Sequence, residues 1–322
     1  MLSRAAKGRL ATGLAALYLL AGCQTSSSAE GDAGVRVSEF AFPARLHEQP
    51  DFGRLQLRAG FVLTGSDPHF GGLSGLWMVP DGERLIAVSD RGTLWRAAPR
   101  HAADGTLVGF AAWQAVEPGA AQGDPPERDA ESLAVTGDDL VIAYEGAHRL
   151  RRVPLDAPAG AAAALPTPGQ LSERHNRGIE ALVALDDGAL LAIAEGVRTP
   201  SGDLAAWLIE GDRIASLAYV PAPGFAPTGA DRLDDTVYVL ERRLSLGGLS
   251  ARIVMLDALA ITPGARLVGR ELGVLSPPAI SENFEGIAAR RAPDGRVLLY
   301  LLSDDNFTPL LRSVILQFAV RL

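Results

Sequence analysis

Residues 178–196 read GIEALVALDDGALLAIAEG: an apolar run, an Asp-Gly turn, a second apolar run and a closing acid. Asp-Gly between two strand-like runs is typical of a tight β-hairpin. Four further stretches follow the same plan: GLSGLWMVPDGERLIAVSDRG (72–92), DAESLAVTGDDLVIAYEG (129–146), PTGADRLDDTVYVLERR (227–243) and FEGIAARRAPDGRVLLYLLSDDN (284–306). The residues that lead the five stretches are Ser74, Glu131, Glu180, Thr228 and Glu285, at spacings of 57, 49, 48 and 57. The chain therefore repeats one hairpin unit.

The repeat predicts an all-β fold, a β-propeller. Two-strand units that recur roughly every 50 residues, with further strands between them, fit a four-stranded propeller blade. Residues 54–58 alternate like a strand, and so does part of residues 313–322. We expect these two ends to share a sixth blade that closes the ring, with a five-bladed ring as the alternative. A β-sandwich is disfavoured, because it would not need an acid at the same place in each repeat.

Acidic residues recur at both ends of the hairpins. The start of the first strand lies beside the end of the second in an antiparallel hairpin, so the leading residue and the closing acid should meet. The expected pairs are Ser74 with Asp90, Glu131 with Glu145, Glu180 with Glu195, Thr228 with Glu241, and Glu285 with Asp304 or Asp305. If these are the innermost strands, the carboxylates ring one mouth of the central channel.

Facing carboxylates need a bound cation, a neighbouring arginine or a shared proton. Ca²⁺ is the natural cation, because it takes about six to eight oxygen ligands in loose geometry. Zinc is poorly supported, since the five histidines are scattered and form no paired ligand motif.

The N-terminus has the features of a processing signal. Residues 1–9 carry three basic residues and no acid, and an apolar run follows up to Leu20-Ala21-Gly22-Cys23, which matches the bacterial lipobox. We therefore expect residues 1–22 to be removed and Cys23, the only cysteine, to be lipidated. A secretory peptide cleaved elsewhere is the alternative. The predicted division is a signal at 1–22, a flexible tether at 23–40 and a propeller domain at 41–322, anchored in the cell envelope at the outer membrane and facing the periplasm.

Composition excludes several functions. Loss of residues 1–22 would change the formal net charge from −8 to −11, and the only lysine, Lys7, would be lost with them. An acidic chain without a basic patch does not bind nucleic acid well. A chain without lysine has no Schiff-base or phosphate-loop lysine. A single cysteine rules out an intrachain disulfide.

The repeats resemble the bacterial phytase-like family, "esterase-like activity of phytase". The matching pieces are GLSGL (72–76), SDRG (89–92), ESLA (131–134), GIEAL (178–182), LERR (240–243), NFEGI (283–287) and SDDNF (303–307). The resemblance covers roughly residues 52–320. It implies a propeller-like β domain and hydrolysis of phosphoesters or related esters assisted by repeated Glu and Asp residues. Ser74 and Thr228 depart from the pattern, because the other repeats have Glu there.

The leading hypothesis is a Ca²⁺-dependent hydrolase of a small phosphoester or related ester. Glu180 and Glu285 are the catalytic candidates. The candidate metal ligands are Asp90, Glu131, Glu145, Glu195, Glu241, Asp304 and Asp305. The arginines that would hold a phosphate by forked hydrogen bonds are Arg91, Arg177 and Arg242. The alternatives are a non-catalytic binding or scaffold propeller and a lactonase-type propeller that also uses calcium.

Overall fold

The computed structural model describes residues 29–30, 34–44, 46, 51–119, 128–145, 148–171 and 178–321. The predicted signal, Cys23 and Arg177 lie outside these residues. Within the described part of the chain, no helix is long and apolar enough to cross a membrane.

Five antiparallel sheets make up the fold, one for each hairpin repeat. Blade 1 contains β5 (Leu73–Met78), β6 (Leu85–Ser89), β7 (Leu94–His101) and β8 (Leu107–Val116). Blade 2 contains β9 (Ala130–Thr136), β10 (Asp139–Tyr144), β11 (Arg149–Pro154) and β12 (Ala163–Leu165). Blade 3 contains β13 (Ile179–Ala184), β14 (Leu190–Arg198), β15 (Leu204–Glu210) and β16 (Arg213–Val220), with β20 (Arg266–Val268) added in parallel at its edge.

Blades 4 and 5 complete the ring. Blade 4 contains β17 (Ala226–Leu233), β18 (Thr236–Ser245), β19 (Gly248–Asp257) and β21 (Arg270–Leu275). Blade 5 starts with β22 (Phe284–Arg291), β23 (Val297–Ser303) and β24 (Ser313–Val320). Its outer strands come from the N-terminal part: β4 (Leu55–Gly65), β2 (Val35–Glu39), β1 (Ala29–Glu30) and β3 (Asp51–Phe52), which pairs with β4.

The ring has five blades, so the predicted sixth blade is wrong and the stated alternative holds. The two ends do pair, through β4 and β24, and so close the ring as expected. They join the blade of the fifth repeat instead of forming their own, because β24 also pairs with β23 of that repeat. The sheet also includes residues before position 41. Strand β2 pairs with β4 and buries Val35 and Val37, so the fold includes residues assigned to the tether.

The innermost strands β5, β9, β13, β17 and β22 contact one another in that order, and β22 contacts β5. The residue after each leading position is small, which allows the strands to approach closely: Gly75, Ser132, Ala181, Gly229 and Gly286. A Cβ at Gly229 would lie 2.6 Å from the carbonyl oxygen of Glu285 on the next innermost strand. At this level the open space between the innermost strands has a volume of only about 10 Å³. The mouth at the start of the innermost strands is therefore separated from a cavity of about 530 Å³ at their turn ends.

Candidate functional site

Each innermost strand has a β-bulge at its leading residue. The pairing with the second strand jumps across residues 74, 131, 180, 228 and 285 in the five blades. A bulge leaves one residue out of the ladder and re-aims its side chain. The five leading residues are thus structurally equivalent, as the repeats predicted.

A second set of equivalent positions follows from the same registers. In four blades a residue that lies in the second strand or directly after it donates its N–H to the carbonyl oxygen two residues before the bulge, at 2.7–3.3 Å. These residues are Asp90, Glu145, Glu195 and Asp304. In blade 4 the matching position is opposite Ala226, and it is occupied by Arg242. Four acids and one arginine therefore complete the mouth.

Glu241 is not brought to this mouth. It pairs with Pro227, which places it one residue before the closing position, and neighbouring residues of a strand face opposite sides. The Glu241 carboxylate is fully buried, and it accepts hydrogen bonds from the Tyr219 hydroxyl at 2.7 Å and from Arg252 Nη1 at 2.5 Å. The expected pairing of Thr228 with Glu241 is therefore corrected to a pairing position held by Arg242.

Acids that lie at the mouth have raised pKa values. Burial raises the pKa of Glu285 to about 8, against the opposing charge of Arg242 and with support from Asp304. Burial and the charge of Asp304 raise the pKa of Asp90 to about 7. Burial raises the pKa of Asp304 itself to about 6. The shifts of Asp90 and Asp304 link acids of blades 1 and 5.

Glu131 and Glu180 also have raised pKa values. Burial and the charge of Glu180 raise the pKa of Glu131 well above its ordinary value. Burial, then the charges of Glu195 and Glu285, do the same for the pKa of Glu180. Glu180 is 8% exposed, and no described residue donates a hydrogen bond to its carboxylate. The charge of Arg242 opposes this rise in part. A buried carboxylate that accepts no hydrogen bond is costly, which makes its oxygens suited to a ligand.

Blade 2 supplies the tightest group of oxygens. Carboxylate oxygens of Asp129, Glu131 and Glu145 lie within 4.8 Å of one another. Burial raises the pKa of Asp129, and its side-chain interaction with Glu131 opposes that rise. Asp129 was missing from the sequence-based set. The sequence signal that identifies it is its position two residues before the leading Glu131, which places it beside the closing Glu145.

A further acid at this mouth has a buried oxygen without a partner among the described residues. This is Oδ1 of Asp90, which follows β6. With the carboxylate of Glu180, to which no described residue donates a hydrogen bond, and with the blade 2 group, the mouth offers several oxygens of the kind that a hard cation prefers.

Arg242 is bonded inside the mouth. Its Nη1 donates to Asn283 Oδ1 at 2.6 Å and to Glu285 Oε1, and its Nη2 lies 3.6 Å from Glu195 Oε1. The guanidinium thus bridges acids of blades 3 and 5. Arg91 lies at the rim instead: it is exposed, stacks 3.4 Å above the Phe307 ring and donates to the Pro68 carbonyl at 2.9 Å.

The remaining predicted positions hold the blades together. Asp305 accepts hydrogen bonds from the N–H of Gly72 and from the Ser313 hydroxyl, each at 3.0 Å. The hydroxyl of Ser74 donates to the Ala130 carbonyl of blade 2, and that of Thr228 donates to the Phe284 carbonyl of blade 5 at 3.0 Å. The two leading residues without a carboxylate therefore join neighbouring innermost strands.

Comparison with known proteins gives one family match. A family model described as "Phytase-like: Esterase-like activity of phytase" matches residues 68–307. No curated protein sequence matches the chain. Among solved structures, the PQQ-bound aldose sugar dehydrogenase of Streptomyces coelicolor is 14% identical, with 90% of this chain and 100% of that chain covered at a TM-score of 0.44. The glutaminyl cyclase of Myxococcus xanthus is 13% identical, with 84% and 100% covered at a TM-score of 0.41.

Proposed function

The chain belongs to the phytase-like family, and from this premise we propose that it is a divalent-cation-dependent hydrolase of phosphoesters or related esters, with Ca²⁺ as the cation. One observation carries the proposal: the five-fold register places acids from four blades at one mouth, where Glu180 is buried without a donor among the described residues.

The acids at the mouth suit a cation. The residues that would hold it are Asp129, Glu131 and Glu145, whose oxygens lie within 4.8 Å of one another. Glu180, to which no described residue donates a hydrogen bond, would add a further oxygen. A bound Ca²⁺ would offset the carboxylate charges, attract a phosphate oxygen and lower the pKa of a bound water. Without such an offset, the mouth repels a phosphoester, because like charges in a partly buried site repel strongly.

Glu285 is the group most suited to proton exchange. Its pKa of about 8 keeps a proton on the carboxyl near neutral pH, and Arg242 holds it in place. A group with a pKa near the working pH is an efficient general acid or base. Glu285 can then give its proton to the departing alkoxide of an ester.

Arg91 is the arginine placed to meet a substrate. It is exposed at the rim, its contacts with Phe307 and Pro68 hold the guanidinium, and among the described residues no carboxylate forms an ion pair with it. A planar guanidinium can hold a phosphate through two parallel hydrogen bonds.

The test is turnover of phytate, p-nitrophenyl phosphodiesters, p-nitrophenyl acetate and a lactone by the purified protein, with Ca²⁺ and with chelator. We expect hydrolysis of at least one phosphoester that the chelator abolishes. The Glu180→Gln and Glu285→Gln variants should lose activity, while Glu210→Gln, an exposed acid at the end of β15, should not. Absence of turnover on every ester in both conditions would contradict the proposal, and turnover of the lactone alone would favour the lactonase alternative.

A non-catalytic role is the second candidate, because acids of the mouth also join blades. Glu145 accepts a hydrogen bond from the N–H of Gly178 in blade 3 at 3.0 Å, and Asp305 bonds Gly72 in blade 1. If the ring only stabilises the fold, Glu180→Gln and Glu285→Gln change the melting temperature but no reaction. Lost activity at unchanged stability favours the enzyme.

We also propose that the protein is tethered to the cell envelope through a lipid on Cys23, facing the periplasm from the outer membrane. The proposal rests on the sequence LAGC at 20–23. Metabolic labelling with a palmitate analogue should label the wild-type protein in its native host type. The Cys23→Ala variant should lose the label and appear in the soluble envelope fraction, and equal labelling of both would contradict the proposal.

A further inference from the structure

One of the five equivalent closing positions carries the opposite charge. Asp90, Glu145, Glu195 and Asp304 close the hairpins of four blades, and Arg242 closes the hairpin of blade 4. The leading residue of the same blade, Thr228, has no charge, and its hydroxyl donates a hydrogen bond to a backbone carbonyl. Blade 4 thus contributes no carboxylate and one guanidinium to the mouth.

The Arg242 guanidinium lies between acids of the mouth, in the place where a metal cation would otherwise offset their charge. Arg242 bonds Glu285 and Asn283 of blade 5 and lies 3.6 Å from Glu195 of blade 3. Its pKa is raised, since the charges of Glu285, Glu195 and Glu180 outweigh its desolvation, so it stays charged. The close oxygen group of Asp129, Glu131 and Glu145 lies on blade 2, whose innermost strand contacts that of blade 3.

We propose that Arg242 is a built-in counter-cation: it fills the cation position between blades 3 and 5 and confines the exchangeable divalent cation to the blade 2 side of the mouth. This inference rests on the proposed function, because it assigns the cation of that site to one half of the ring. It makes Arg242 a positioning residue that fixes Glu285 and sets the number of bound ions, in place of the phosphate-holding role expected from the sequence.

The test compares Arg242→Gln with Arg243→Gln, a matched control on the same strand. Arg243 follows Arg242 in β18, but its guanidinium lies 4.5 Å from the Phe225 ring. Calcium binding is measured by isothermal titration and equilibrium dialysis with full-length protein. We expect Arg242→Gln to bind one more Ca²⁺ per chain than the wild type, and Arg243→Gln to bind the wild-type number.

A stability readout separates a cation role from simple packing. In chelator, Arg242→Gln should melt at a lower temperature than the wild type, and Ca²⁺ should restore most of the loss. The loss in Arg243→Gln should not respond to Ca²⁺. Arg242→Lys, which keeps the charge, should bind the wild-type number of ions. An extra ion in the lysine variant, or an unchanged number in Arg242→Gln, overturns the inference.

The outcomes also separate this inference from the proposed function. If the wild type binds Ca²⁺ and is active, but Arg242→Gln binds the same number of ions, the proposed function stands and the role of Arg242 is contradicted. If the wild type binds no Ca²⁺ but Arg242→Gln binds one, Arg242 does act as the built-in cation, and the proposed reaction does not depend on Ca²⁺. No ion in either protein overturns both.

Discussion

Glu241 and Arg242 are neighbours in the chain and lie in different surroundings. The side chain of Arg242 reaches the acids of the mouth, whereas that of Glu241 is buried beside blade 3, where Tyr219 and Arg252 donate to its two oxygens. Arg252 also donates to Glu271 at 2.7 Å. Because strand residues alternate between faces, a shift of one position exchanges a mouth residue for a buried structural one.

The first prediction concerns this buried pair. Glu241→Gln should lower the free energy of unfolding by about 2–3 kcal/mol, because it removes the charge that a largely buried guanidinium bonds to. Calcium affinity should stay within about twofold, since Glu241 does not face the mouth. Urea unfolding and calcium titration measure both, with the exposed Glu210→Gln as control. A large loss of calcium affinity at full stability would return Glu241 to the set of metal ligands.

At the scale of the elements, the hairpins and their carboxylates could be predicted because their causes are local. Asp81-Gly82, Asp187-Gly188 and Asp294-Gly295 form turns, and each of these glycines has φ between 79° and 85°, a conformation that favours glycine. A turn between two apolar runs fixes which residues face one another. The leading positions and four of the five closing acids follow from that register.

The fifth closing position was missed although the sequence contained the signal. The turns of blades 2 and 4 are equally short, since Thr136 pairs with Asp139 and Leu233 pairs with Thr236. The hairpin of blade 4 should therefore have the same length as that of blade 2. Counting as many residues from Thr228 as separate Glu131 from Glu145 reaches Arg242. The blade count was not local in this way, because the strands that complete blade 5 come from opposite ends of the chain.

The second prediction tests the close approach of the innermost strands. Gly229→Ala should lower the free energy of unfolding by about 1–3 kcal/mol, because the new Cβ would lie 2.6 Å from the Glu285 carbonyl oxygen, a backbone atom that cannot rotate away. Gly247→Ala on the tip of the β18–β19 hairpin is the control, since its nearest neighbour, Ser245 Oγ, is 3.7 Å away. Thermal unfolding compares the two. Equal stability of both variants would mean that the strands can separate without cost.

At the scale of the whole molecule, a buried polar network joins blade 5 to blade 1, where the ring closes. The Tyr300 hydroxyl accepts from Arg290 Nε and Gln317 Nε2, each at 2.8 Å, and lies 2.9 Å from His101 Nε2. With two donors already on the oxygen, the hydroxyl proton points to His101, which must then be neutral. Burial, followed by the charge of Arg290, lowers the pKa of His101 to about 4, in agreement with this arrangement.

The third prediction follows from that network. Tyr300→Phe should lower the free energy of unfolding by about 2–3 kcal/mol, because it leaves buried groups on both blades without a partner. Tyr144→Phe is a matched control: the Tyr144 hydroxyl is also buried but has no partner among the described residues, so its removal should change stability by less than about 0.5 kcal/mol. Similar losses in the two variants would show that packing of the ring, and not the hydroxyl network, supports closure.

The last prediction treats the acids of the mouth as one titrating unit. Without a cation, burial raises the pKa of Glu285 to about 8 and, with the charge of Asp304, that of Asp90 to about 7. The folded chain then holds protons that the unfolded chain releases above about pH 4.5, so its stability should fall as the pH rises from about 4 to about 8.

A divalent cation binds the ionised carboxylates, so its stabilising effect should grow across the same pH range. At a Ca²⁺ concentration of about one hundred times Kd, the linkage adds about 2.7 kcal/mol to the stability. We therefore expect Ca²⁺ to raise the melting temperature clearly at about pH 8 and hardly at about pH 5.5, and Glu180→Gln to reduce the gain at pH 8. Differential scanning fluorimetry in Ca²⁺ and in chelator measures the melting temperatures at both pH values. An equal gain at both pH values would mean that the ion binds away from these acids, because only protonation of the mouth makes the two conditions differ.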